Sequence, residues 1–249
     1  MSLIFRLSKV VVLFAAILIA STISASAQSK PSGKMLQAIR INHTHYFMGT
    51  QVVTFTPEAI RVDNIAQLGF SLVAKAPDWK VTLFRLDDKT YFTEDLKTFQ
   101  DTGLLSDMII GRKGRFLDDR PLRHSTMTLY GFNIERLTSR WSTLKVMKLQ
   151  GVATPPIETI LYATYKLPTN GCIPLAYTAT HNNADFITGM QNKGRLEVLL
   201  ETTKISKVSV PASFFTAPSG MKKALSVRDV VSGHTNRVKS EAAELMLEK

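Results

Sequence analysis

Between Thr50 and Thr93 the chain runs as short segments of period-two hydrophobicity joined by turns of only a few residues. That spacing decides what the segment can become. The stretch "TQVVTFTPEAIRVDN" reads as strand, a Thr56-Pro57-Glu58 turn, and strand, with Val53 and Phe55 on one face and Ile60 and Val62 following the turn. "FSLVAKAPDWKVTLFRLDDKTYFTEDL" continues the meander: a strand, Pro77-Asp78, a strand from Trp79 to Leu86, an Asp87-Asp88 turn, and a strand from Lys89 to Thr93. Parallel strands need a crossover of a dozen or more residues, so neighbours joined this tightly must pair antiparallel.

Such a sheet must be held by its core. The chain has one cysteine, Cys172, which rules out an intramolecular disulfide. The first 27 residues carry Arg6 and Lys9, an apolar run from Val10 to Ala20 and the small-x-small triplet Ala25-Ser26-Ala27, the three parts of a secretory signal peptide. The run is short for a bilayer span, and Gln28 stands where lipid attachment would need a cysteine. The expectation is an exported protein, periplasmic or extracellular, with one antiparallel β-rich domain over 28–231 and a polar tail over 232–249. The formal net charge of +11 falls to +9 once Arg6 and Lys9 are removed, which favours an anionic membrane or cell-wall surface as neighbour. Nucleic acid would call for aromatics interleaved on a basic strand face, and the sequence has no such face.

The remaining pattern predicts a few helices around the sheet. "KMLQAIRINH" sets Met35, Leu36 and Ile39 at helical spacing, predicting a short amphipathic helix. Residues from Gly103 to Arg123 read as a loop or small helical insertion, and strands resume from His124 to Arg136 and from Trp141 to Leu149. "PPIETILYATYKLP" predicts a helix over Ile157 to Lys166, bounded by Pro156 and Pro168. Strands follow around Leu175 to Thr180 and Arg195 to Val210; in the second, Leu196, Val198 and Leu200 are expected on the buried face and Glu197, Glu201 and Thr203 on the wet one. In "VPASFFTAPSG", Pro211 ends ladder pairing because it lacks an N–H. Ala212 to Phe215 then form one helical turn, pressing Phe214 and Phe215 against the sheet opening as a plug, one buried more deeply than the other.

An exported chain with a starter helix, a long meander, a helix running into "YKLPTNGCIPL", the strand "LEVLLETTKISKV" and the closing "VPASFFTAPSGMKK" resembles the periplasmic lipoprotein-carrier and lipid-binding half-barrel superfamily. The resemblance implies a mainly β (α+β) fold, a strongly curved antiparallel sheet or half-barrel with a few covering helices, enclosing an apolar cavity for acyl chains.

Dedicated chemistry is absent from the sequence: there is no G-x-S-x-G elbow, no H-E-x-x-H helix, no P-loop and no dinucleotide fingerprint. His43 and His45 share a face of an extended segment but lack a third ligand nearby, so no metal site and no cofactor are expected. The expected function is a non-catalytic binding protein or carrier for a lipid, lipidated or other apolar ligand. Trp79, Met127, Leu129, Trp141, Met147, Phe214 and Phe215 are the candidate ligand contacts, and Arg112, Lys113 and Arg115 could meet anionic head groups. An envelope structural or interaction module with a filled core is the alternative, and a secreted hydrolase a third reading.

Overall fold

A computed structural model describes residues 34–66, 68–104, 115–117, 122–181 and 194–233. The expected signal peptide, most of the 103–123 insertion and the tail beyond 233 lie outside the described residues. The strands are β1 (Met35–His45), β2 (Gly49–Thr56), β3 (Ala59–Asn64), β4 (Ser71–Lys75), β5 (Val81–Arg85), β6 (Thr90–Glu94), β7 (Arg123–Leu129), β8 (Phe132–Thr138), β9 (Ser142–Met147), β10 (Ile173–His181), β11 (Arg195–Pro211) and β12 (Lys222–Lys223). Helix α1 spans Leu96–Thr102 and α2 spans Pro155–Tyr165. The strands form a single open, curved sheet in the order β12-β6-β5-β4-β3-β2-β1-β11-β10-β9-β8-β7. Every pairing is antiparallel except β12 with β6. The mainly β, curved-sheet expectation holds, and so do the meander turns and the proline-bounded helix.

Three local expectations fail, each for a physical reason. The starter helix is instead β1, paired on both sides, with β2 and with β11. Its helical spacing comes from Met35, Leu36 and Ile39, whereas Ile39, Ile41, His43 and His45 alternate as a strand and find partners along their whole length, which overrides a weak local preference. The expected strand from His124 to Arg136 breaks into a hairpin at Tyr130 and Gly131, whose φ values of 50° and 79° are the paired left-handed residues a two-residue hairpin turn needs. Tyrosine in that conformation hides the turn from sequence reading. In β11 the facing is wrong at its start: Leu196 and Val198 are 64% and 50% exposed. Leu200 pairs with Tyr177 and Val198 with Thr178, so Leu199 is one residue too many, and this β-bulge reverses the phase. A second bulge at Thr203 separates Thr202, opposite His43, from Lys204, opposite Asn42.

The sheet's two faces are unequal. The inner face carries α2, whose Ile157, Ile160 and Leu161 are buried with Ile41, Val53, Phe55, Val62, Leu72 and Leu83. A helical segment over 227–233 adds Val230 and Val231 to this core. Buried Arg85 donates to the Val231 carbonyl at 3.1 Å, tying this segment to the end of β5. On the outer face a second, smaller cluster joins Ala38, Ala59, Val210 and Phe215, the first two being strand neighbours of inward-facing Ile39 and Ile60.

Candidate functional site

Where β1 begins and β2 ends, the inner face opens into a cleft of about 610 Å³ lined by Ile39, Phe55, Pro57, Phe132, Val152 and Lys207. Ile39 pairs with Phe55 on one side and with Lys207 on the other, so three adjacent strands present two apolar side chains and one amine to the same space. The far wall comes from the turn before Phe132 and from the loop at Gly151 and Val152. Among the described residues, no atom beyond the adjoining residues comes within 4 Å of where a Cβ would stand on Gly131 or Gly151, so these turns leave space at the mouth. The arrangement suits an apolar chain with a single anionic group at the rim.

Four residues farther along β1 the inner face becomes polar. Thr202, His43, Gln51 and Asn64 are successive cross-strand partners over β11, β1, β2 and β3, all buried, with Tyr165 of α2 above them. The His43 ring meets the Tyr165 ring edge-on at 5.7 Å, and the His45 ring stacks on it at 5.5 Å. Thr202 spends its one hydroxyl proton on the Leu175 carbonyl at 2.5 Å, so His43 Nδ1–H must donate to Thr202 Oγ1 at 3.0 Å, and Nε2 is buried without a hydrogen-bond partner among the described residues. His45 Nδ1 accepts from the amides of Phe47 and Met48 at 3.3 and 3.2 Å. An accepting Nδ1 makes His45 a neutral imidazole. Burial, with His45 alongside, pulls the His43 pKa down to about 3. Burial likewise pushes the Tyr165 phenol above its ordinary range. Among the described residues no carboxylate joins this row, and no three His, Cys, Asp or Glu side chains gather as metal ligands would.

The sequence singles out His43 and His45 but not Gln51 or Tyr165. The signal is present: Gln51 continues the inward phase of Val53 and Phe55, so it has to face the same side as His43.

The expected ligand contacts do not line the cleft. Met147 is a core residue, Leu129 and Trp79 pack half-buried against the same core, and Met127 and Trp141 are exposed. Trp79, expected within a strand, sits in the β4–β5 turn with φ 49°. Phe215 is buried and Phe214 half-buried as their adjacency predicts, but on the outer face, away from the inner cleft. Phe215 instead borders a groove of about 440 Å³ between the segment 215–221 and β4 to β6. Arg112 and Lys113 lie outside the described residues. Arg115 is half-buried and committed to an internal partner: its Nε donates to Glu158 at 2.9 Å, and Glu158 is buried and also accepts from Thr169. Cys172 is half-buried, and desolvation with Glu135 nearby raises its thiol pKa, the opposite of an activated nucleophile.

No protein-family description matches the sequence, and no curated protein matches it. Among solved structures the chain is similar to an uncharacterized conserved protein from Thermus thermophilus, at 9% identity over 78% of this chain and 91% of that one, with a TM-score of 0.37.

Proposed function

We propose that this is an exported, non-catalytic binding protein or carrier for a lipid or other apolar ligand of the cell envelope. The observation that carries the reading is the cleft at Ile39, Phe55 and Val152, whose volume of about 610 Å³ falls in the size range of small-ligand sites and whose rim holds the Lys207 amine. The ligand is an amphiphile: its chain lies against the apolar wall and its anionic group meets Lys207. Export follows from the signal-peptide pattern of residues 1–27. The half-barrel superfamily named above is the family this reading favours.

A second reading, an envelope scaffold, draws on the packing beneath α2, where Ile41, Val53, Ile160 and Leu161 have no exposed surface. Native mass spectrometry of protein purified from its own host separates the two. A co-purified lipid that is lost in Ile39→Trp, which fills the cleft, supports the carrier. Protein that emerges free of lipid and takes up no apolar probe supports the scaffold.

A further inference from the structure

The end of the sheet opposite the cleft carries an apolar rim. Antiparallel order places the β1–β2 turn, the β3–β4 loop, the β8–β9 turn and the start of β11 together at that end. Tyr46, Phe47, Ile65, Trp141, Leu196 and Val198 are all more than a third exposed there. Backbone hydrogen bonds hold their segments side by side: the Ile65 amide donates to the Thr50 carbonyl at 3.1 Å, Tyr46 to Leu199 at 3.0 Å, and Thr180, the cross-strand partner of Leu196, to Trp141 at 2.6 Å. Single exposed apolar residues are ordinary, but six gathered at one end of the sheet form a surface.

The charges beside this row have one sign at its tip. Arg140 stacks on the Trp141 ring at 4.5 Å, Arg195 precedes Leu196, and Arg123 begins β7 at the same end. None of the three arginines makes an ion pair among the described residues. The acids at this end are paired or half-buried: Asp63, two residues before Ile65, pairs with Arg61 at 2.8 Å. Glu197 is half-buried beside Tyr46, and Glu201 lies six residues up β11 from Arg195, roughly 20 Å along the strand, beyond the ~10 Å over which salt screens a charge. The β5–β6 turn adds Asp87 and Asp88, both held by Arg85.

From this geometry we infer that the rim docks on an anionic lipid bilayer, with Trp141, Tyr46, Phe47 and Leu196 entering the head-group layer and Arg123, Arg140 and Arg195 meeting lipid phosphates. Tryptophan and tyrosine favour that layer because one end of each ring system is apolar and the other polar, and each arginine near an anionic surface adds attraction that salt weakens. The cleft, at the other end of β1 and β2, then faces away from the membrane. The inference rests on the envelope reading above but not on what fills the cleft.

The test uses the chain from Gln28, which contains the whole compact unit Gly33–Lys249. Flotation with vesicles of equal phosphatidylglycerol and phosphatidylcholine is compared with flotation on phosphatidylcholine alone, and with free glycerol phosphate as competitor. In a Trp79→Phe chain, Trp141 is the remaining tryptophan and reports directly on the rim. The expected result is binding to the anionic vesicles alone, insensitive to glycerol phosphate, with Trp141 emission shifted to the blue and quenched by brominated chains. Arg140→Glu with Arg195→Glu should weaken binding at least tenfold, Leu196→Ser should weaken it too, and Ile39→Trp should leave it unchanged. Absence of flotation, unchanged Trp141 emission on binding, or full binding by the arginine double variant would each overturn the inference. Wild-type protein that emerges free of lipid in the mass-spectrometric experiment, with flotation intact, would count against the carrier alone.

Discussion

The guanidinium of Arg61 lies 4.6 Å from the centroid of the Phe214 ring and donates to the Phe214 carbonyl at 3.1 Å. On its other side it lies 5.5 Å from the Phe84 ring, and Asp63 fixes its Nε at 2.8 Å. A β3 side chain on the outer face therefore holds the segment that leaves β11, which explains the paired phenylalanines after Pro211: Phe215 fills the small outer cluster and Phe214 covers the cation.

Phe215→Ala should destabilise the fold by about 3–5 kcal/mol, through lost transfer energy and the cavity left behind. Phe214→Ala should cost only about 1 kcal/mol, because its ring is half-buried and its main partner is a cation. Urea midpoints of the two variants check the order. Neither should alter uptake of a fluorescent fatty acid, since both rings lie across the sheet from the cleft.

Acid should unfold the protein through His43. Its folded pKa of about 3 lies below the ordinary 6.5, so the unfolded chain takes up the proton first. The stabilisation is complete above pH 6.5 and is lost as pH falls from there toward 3, by up to about 1.4 kcal/mol per pH unit. Urea midpoints measured across this range should fall steeply in the wild type. In His43→Gln, which keeps a polar group opposite Thr202, the same titration should be flatter; an equal slope in both would assign the acid sensitivity elsewhere.

Arg115→Ala should be among the most damaging single substitutions, at about 3–5 kcal/mol, because it strands the buried Glu158 carboxylate. Arg115→Met combined with Glu158→Met should recover much of that loss, since the pair is then replaced by apolar groups. A double-mutant cycle in thermal or urea unfolding measures the difference.

How much of this is legible in the sequence follows from which signals are local. The β2–β3 hairpin and the meander through β6 are readable because Pro57-Glu58, Pro77-Asp78 and Asp87-Asp88 punctuate clean alternation, and α2 because Pro156 and Pro168 bracket it. The bulge at Leu199 is not readable, because it is defined by Tyr177 and Thr178 on another strand. The cleft escapes sequence reading for a similar reason: local spacing puts Ile39 on a helix, and Lys207 and Val152 become its neighbours only through β11 pairing and the loop before α2. Arg115 reads as a free cation because its partner Glu158 is 43 residues away.

The carrier reading stands or falls on a titration of the chain from Gln28 with a fluorescent long-chain fatty acid, comparing wild type with Ile39→Trp and Lys207→Glu. The expected outcome is saturable binding by the wild type, loss of binding in Ile39→Trp through steric filling, and at least tenfold weaker binding in Lys207→Glu through charge reversal at the rim, with urea midpoints near wild type. Wild-type protein that binds no apolar probe, or binding that survives both substitutions, would contradict it.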